Sequence, residues 1–356
     1  MSKGIEKNYG GLDGFRMIAA ILVIANHTSP LLSYDVFADM TLTRIISRVT
    51  VPFFFMCTGY FFFQKIGTDK RKNVDSLMKF LQKLAKLYAF SILLYIPINV
   101  YAGYFTNQFS ASALVKDILF NGTLYHLWYF PGVMLGVCIC YFLYTRFSTK
   151  GAFLISLLLY GGGLLGDSYY AFVQMNPYLD SIYQAMFSLF DFTRNGIFFA
   201  PVFVMLGGLI AARGKPDQGK CMPYVVGFIL FFGLMVTEGL LVHEFHLFRH
   251  DSMYLLLIPC MYFLFRLLLS FRSRSKKYLR NLGMYVYVLH PMCIVIIRLV
   301  GKATGLTPLI VENSLIHFLL VTVLSFVVSV IAMRAVKKIK NRKAARLHTQ
   351  GELLKR

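Results

Sequence analysis

Acidic residues are scarce in this chain: 16 aspartates and glutamates stand among 356 residues, against 37 lysines and arginines. Cysteine is sparse as well. The six cysteines (Cys57, Cys138, Cys140, Cys221, Cys260 and Cys293) are scattered, and none has the spacing of a zinc or cluster site. No pair of histidines or carboxylates has ligand spacing on one helix face, so no metal is expected; His243 and His246, which bracket Glu244, read as surface polarity. The thiols read as reduced, buried and structural. The N-terminal stretch lacks the small-residue cleavage site of an exported leader, so its apolar segment is expected to stay as the first helix. No stretch is polar enough for a separate soluble catalytic domain, and no internal repeat is evident.

Apolar sequence fills the chain instead. It is 57% hydrophobic and 16% aromatic with a mean hydropathy of +0.61, well past the roughly 45–50% apolar content of a soluble domain. Runs long enough to cross roughly 30 Å of hydrocarbon lie near 12–32, 44–63, 80–103, 126–145, 151–166, 195–212, 221–242, 252–271, 281–300 and 314–335. The expected fold is all-α: a polytopic membrane protein of about ten transmembrane helices with both termini cytoplasmic. Under that orientation every basic residue falls on the inner side except Arg44, Arg48, Lys116, Arg194, Arg249, Arg298 and Lys302. The net charge of +21 therefore reports orientation and affinity for an anionic lipid bilayer, and not a nucleic-acid partner. One transmembrane domain is expected over 1–335, followed by a basic segment over 336–356 that serves as a cytoplasmic tail or as a linker.

Two outer loops exceed what connection needs. Ser110 to Phe120 suits a short helix, and "YLDSIYQAMFSLFDF" suits a helix lying in the interface. Prolines at 52, 97, 131, 201, 259 and 291, with glycines at 161–163, 207 and 208, permit kinks and close helix approach.

The first apolar run, "DGFRMIAAILVIANHTSP", carries Asp13, Arg16, Asn26 and His27. Eleven positions separate Arg16 from His27, which at about 100° per residue is three turns plus about 20°, so both share one face roughly 16 Å apart. Asp13 is placed for an i,i+3 pair with Arg16. A lone polar group inside a membrane helix faces a cavity or a partner. His126 and Trp128 in "HLWYFPG", His290 in "YVYVLHP", and Arg44 and Arg48 ahead of "VPFFFMCTGYFFF" are the companions.

Arg-x10-His in the first helix, then "VPFFFMCTGYFF", "HLWYF" and "LGMYVYVLHP" in that order, resembles the acyltransferase-3 family of ten-helix bacterial membrane proteins over nearly the whole chain. Within it the chain is most similar to the membrane domain of serine racemases of vancomycin-resistance clusters, in which a cytoplasmic racemase domain follows. The resemblance implies a multi-pass protein of the bacterial plasma membrane with no covalently bound cofactor and with acyl-CoA, usually acetyl-CoA, as co-substrate. Arg16 would meet the donor near the inner surface, and His27 would act as general base or transient acyl carrier toward a hydroxyl on the outer side. Asp13, Asn26, Arg44, Arg48, His126, Trp128 and His290 would line the donor or substrate path. The chain departs from family members that acetylate cell-wall sugars: Pro131, Gly132 and Val133 stand where those carry a glutamate, and Thr58 where a serine is usual. The alternative implied by the subfamily is a domain that supplies L-serine to a fused racemase, with Arg16 or Arg48 facing the carboxylate and Glu238 the ammonium.

Overall fold

The computed structural model describes residues 9–105, 110–214, 221–271 and 274–353, with side chains as far as 342. Lys3, Lys7, Lys215, Lys220, Arg272, Lys355 and Arg356, counted in the charge argument, lie outside the described residues. The described backbone is helical and contains no strand. In chain order the α-helices are α1 (Gly10–Thr28), α2 (Val36–Met40), α3 (Thr50–Phe63), α4 (Lys70–Tyr101), α5 (Ala111–Lys116), α6 (Tyr129–Arg146), α7 (Thr149–Leu165), α8 (Tyr170–Gln174), α9 (Pro177–Leu189), α10 (Ala200–Arg213), α11 (Met222–Glu244), α12 (Leu257–Ser270), α13 (Lys277–Thr304) and α14 (Ser314–Leu353).

Each of the expected apolar runs falls on one of these helices. Among the described residues five continuous helical spans are long and apolar enough to cross a membrane: Val36–Phe63, Lys70–Tyr101, Met222–Glu244, Lys277–Thr304 and Ser314–Arg342. Shorter apolar helices occupy Thr149–Leu165, Ala200–Arg213 and Leu257–Ser270. The loop helices form too, as α5, which runs into a π turn at Asp117–Asn121, and as α9. The basic segment after 335 does not break from the last span, because α14 is continuous to Leu353.

Local chemistry sets the ends. Asp69 caps α4 by accepting from the N–H groups of Arg71 and Lys72, Ser148 caps α7 through Gly151, and Asn176 caps α9 ahead of Pro177. Each side-chain oxygen satisfies donors that the first helical turn leaves unpaired. Gly305 closes α13 at φ 73°, a left-handed conformation that favours glycine.

The chain divides into two compact units, one made of 1–43 with 273–356, the other of 44–272. In the first, α1, α13 and α14 meet around Ala20, Ile24, Leu282, Val286, Cys293, Ile294 and Val321. In the second, α10 is the central helix, packed by α3, α6, α7 and α12 and buried at almost every position from Ala200 to Ile210. Its crossing with α3 is backbone against backbone: a Cβ on Gly59 would lie 1.9 Å from the Val204 carbonyl oxygen, and one on Gly207 would lie 2.2 Å from that of Met56. Small residues permit this approach, which substitutes van der Waals contact for a hydrophobic driving force that lipid does not supply. Phe55, Tyr160, Phe199 and Phe203 fill the space beside it with stacked and edge-on rings. Leucines, isoleucines and valines such as Leu93, Leu158, Ile229 and Val323 point outward, the pattern expected where lipid is the solvent.

Candidate functional site

The sequence-predicted residues fall into the two units, Asp13, Arg16, Asn26, His27 and His290 in the first, and Arg44, Arg48, His126 and Trp128 in the second.

In the first unit Asp13 is fully buried at the base of α1, and its Oδ2 accepts from Ser275 Oγ at 2.8 Å and from the Lys276 N–H at 2.7 Å. It thereby takes up a donor at the start of α13. Its other oxygen lies 3.6 Å from Arg16 Nε, so the i,i+3 pair forms. Arg16 runs beside Gly283 of "LGMYVYVLHP", where a Cβ would come within 3.6 Å of Arg16 Cβ. At the other end of α1, His27 stacks on His290, with ring centroids 5.3 Å apart and planes 21° from parallel. His290 is buried, and its Nδ1 lies 2.9 Å from the Tyr287 carbonyl oxygen and 3.2 Å from that of Val286. Only a protonated Nδ1 can meet two carbonyls, so the neutral ring has Nε2 as its basic nitrogen. Asn26, which precedes His27 in the chain, is half-buried. The unit thus carries a cation near one end of α1 and two imidazoles at the other, roughly 16 Å of helix rise apart.

In the second unit Arg44 and Arg48 converge on one carboxylate that sequence reading did not select. Arg48 Nη2 donates to Asp251 Oδ1 at 2.6 Å and its Nε to the Asp251 carbonyl at 2.8 Å, while Arg44 Nη1 donates to Asp251 Oδ2 at 2.9 Å. His243 Nε2 approaches the same oxygen at 3.3 Å, so it has an ion-network role beyond surface polarity. Burial pushes the Asp251 carboxyl up, but the His243 hydrogen bond and the Arg48 and Arg44 guanidinium groups more than reverse this, and the group ends well below the usual carboxylate range. Glu238 is also engaged: it accepts from the Tyr169 hydroxyl at 2.6 Å and from the N–H groups of Leu255 and Leu256 at the start of α12. Both groups suggested for a zwitterion, Arg48 and Glu238, thus have protein partners. His126 is buried edge-on to Tyr95 and Tyr125. Trp128 packs on Phe55 and Phe199, with the Arg194 guanidinium 5.3 Å from its ring centre.

Two further groups in the second unit escaped sequence reading. Asp167, just after α7, is wholly buried; its Oδ1 accepts from the N–H groups of Ser252 and Met253 at 2.7 and 2.9 Å. Burial pushes this carboxyl up to about 7, with those two N–H groups and then Arg194 and Arg48 opposing the rise. Arg194, just before α10, lies over both the Trp128 and Phe192 rings. Nearby His250 is held down to about 4, first by burial and then by Arg194 and Arg249, so it is neutral at physiological pH. Their only sequence signal was that Arg194 is one of the few basic residues expected on the outer side.

Comparison with known proteins bears on this geometry. Residues 9–334 match the acyltransferase-3 model, described as an acyltransferase domain. The chain is 40% identical over 342 residues to a protein of Enterococcus faecalis named an amino-acid racemase, covering 95% of this chain and 47% of that one. A second Enterococcus faecalis protein of the same name is 37% identical over 332 residues, covering 93% and 47%. A serine/alanine racemase of Enterococcus gallinarum is 34% identical over 317 residues, covering 88% and 44%. The chain spans about half the length of these relatives. No solved structure matches it.

Proposed function

The chain belongs to the acyltransferase-3 domain family, and from that premise we propose that it is a membrane acyltransferase whose chemistry takes place at His27. The observation that carries the reading is the His27–His290 stack on the helix that also bears Arg16. A cytoplasmic acyl-CoA, such as acetyl-CoA, sets its phosphates against Arg16 and extends its thioester arm along α1 toward the imidazoles. His27 takes the proton of an acceptor hydroxyl on the outer side as that oxygen forms a bond to the thioester carbonyl carbon. The carbon–sulfur bond breaks, and the imidazolium returns the proton to the departing CoA thiolate. His290, oriented by the Tyr287 and Val286 carbonyls, fixes the plane of His27 by stacking, a positioning role. Asp13 lies beside the Arg16 guanidinium, and Asn26, next to His27 in the same unit, belongs to the substrate path. The reading carries about ten crossings of a bacterial plasma membrane, both termini on the cytoplasmic side, and a transmembrane domain over 1–335.

A second reading is favoured by one observation: relatives named amino-acid and serine/alanine racemases share 34–40% identity with almost all of this chain, which covers under half of each of them. In it the chain is the membrane part of a racemase of a vancomycin-resistance system and supplies L-serine to a fused cytoplasmic domain. Proteoliposomes separate the two. Transfer of radiolabelled acetyl from acetyl-CoA to a hydroxyl acceptor, lost in His27→Ala and Arg16→Ala, supports the first; serine uptake without any acyl donor and without such transfer supports the second.

A further inference from the structure

The charged groups of the second unit are not equally occupied. Asp251 takes up Arg44 and Arg48, and Arg249 donates to the Asp191 carbonyl at 2.7 Å and covers the Phe187 ring. Glu238 is filled by Tyr169 and two backbone N–H groups. Asp167 and Arg194 are less well matched. Asp167 Oδ2 and Arg194 Nε are both buried and have no hydrogen-bond partner among the described residues. Asp167 has 0% of its surface exposed. The two do not satisfy each other, since no ion pair joins them within 4.0 Å, yet each acts electrostatically on the other. Arg194 as a whole is half-buried, but a buried acceptor oxygen and a buried guanidinium N–H that stay without partners each cost free energy unless something polar meets them.

We infer that Asp167 and Arg194 form a binding site for a small amino-acid zwitterion, the α-carboxylate on the Arg194 guanidinium and the α-ammonium on Asp167 Oδ2. One molecule carrying both charges satisfies both groups together, and a guanidinium is the side chain whose fork matches a carboxylate. The rest of the constellation suits that occupant. Asp167 is held rigid, because its Oδ1 is fixed by Ser252 and Met253 and by the Ser168 hydroxyl at 3.1 Å. Trp128 and Phe192 flank Arg194 with centroids 5.3 and 4.5 Å from its guanidinium carbon, giving the site apolar walls that strengthen charge recognition by excluding water. Phe192 is braced in turn by His250, its ring centroid 4.4 Å away. Asp167 follows α7, Arg194 precedes α10, and His250, Ser252 and Met253 lie between α11 and α12, so three connecting segments of one unit converge on the site. The inference rests on the amino-acid-supply reading and gives it a location separate from Arg16 and Glu238.

The test uses the purified full chain in nanodiscs, with equilibrium binding of radiolabelled L-serine and competition by L-alanine, glycolate and ethanolamine. L-Serine and L-alanine are expected to compete within a few-fold of each other, and glycolate, which lacks the ammonium, and ethanolamine, which lacks the carboxylate, at least tenfold more weakly. Arg194→Gln and Asp167→Asn are each expected to weaken L-serine at least tenfold, with partial recovery in Arg194→Lys. If a variant does not yield monodisperse protein, the analogue series on the unmodified chain decides. L-Serine binding that is unchanged in both variants, or analogues that compete as well as serine, removes the site while leaving amino-acid supply standing. No serine binding at millimolar concentration, with water alone bridging the pair, removes the site; absence of serine uptake as well removes the supply reading.

Discussion

Replacing Asp251 by asparagine tests whether the second unit is held by a buried charge or only decorated by one. The carboxylate is 7% exposed and receives Arg48 at 2.6 Å and Arg44 at 2.9 Å. The two arginines differ in a way that fixes the magnitudes. Arg48 is 15% exposed and Arg44 is 55% exposed, so removing Asp251 strands one guanidinium away from water and leaves the other solvated. Breaking a buried pair on one side costs about 3–5 kcal/mol, whereas a pair with an exposed partner contributes no more than ~1 kcal/mol. Asp251→Asn and Arg48→Ala should therefore each destabilise by roughly 3 kcal/mol or more, and Arg44→Ala by less than ~1 kcal/mol. The assay is equilibrium unfolding in mixed detergent micelles followed by the emission of Trp128, the single tryptophan of the chain, which lies in the same unit. The pH dependence follows with a definite sign. The folded carboxyl is held below its ordinary value, so its contribution is complete above about pH 4 and is lost as the pH falls further. Asp251→Asn should abolish that acid decline. Equal losses for Arg44→Ala and Arg48→Ala, or a loss below ~1 kcal/mol for Asp251→Asn, would refute the reasoning.

Gly59→Ala should cost about 3 kcal/mol, because its methyl collides with the Val204 carbonyl. Gly161→Ala, with nothing within 4 Å of its Cβ, should stabilise α7 by about 0.5–1 kcal/mol; the same micelle assay ranks the two. Asp167 has a folded value raised to about 7, so keeping it ionised disfavours the folded state: stability falls as pH rises from about 4 to about 7 and then levels off. Asp167→Asn should remove this slope and be more stable than the parent at pH 8, with Arg194 and Arg48, which pull the carboxyl down, and Tyr160 and Tyr254, which feel it, unchanged. Arg334, Lys337, Lys338 and Arg342 form a basic surface on α14; neutralising them should weaken binding of phosphatidylglycerol over phosphatidylcholine by about 1 kcal/mol per residue, less at high salt. Native mass spectrometry with defined lipids reads that difference.

What could be read ahead of the structure was what a helix encodes locally. The alignment of Arg16 with His27 and the pair Asp13–Arg16 depend on a period of 3.6 residues and nothing more, and the apolar runs mark helices because every backbone group in lipid must be satisfied within its own segment. The histidine stack joins α1 to α13 across more than two hundred residues; the sequence offered His290 as one of several polar companions of His27, without the contact between them. The resemblance did not extend to Asp251, Asp167 or Arg194. A carboxylate receiving Arg48 from 203 positions away leaves no periodic trace, and all three lie in connecting segments, where position follows from packing and not from pattern. His243 was read as surface polarity because its partner Asp251, eight residues on, lies past the end of α11, where helical spacing no longer says which residues meet.

Remaining hydrogen-bonding capacity separates the polar groups that hold this protein together from those available for chemistry. A buried carboxylate with its oxygens filled by protein donors has no lone pair to offer a substrate without first breaking a bond that stabilises the fold. Asp13 has one oxygen filled by Ser275 and Lys276, and Glu238, filled by Tyr169, Leu255 and Leu256, is in that condition. Asp251 is as well, and this argues against Arg48 as a substrate ligand, because drawing it toward a substrate carboxylate would expose the buried charge it neutralises. Arg16 is different: among the described residues its ion pair, with Asp13, is a long one at 3.6 Å, so an incoming phosphate can compete for it. Asp167, with one oxygen saturated and one not, combines the two conditions in a single side chain, fixed in place by the first and able to receive an ammonium through the second.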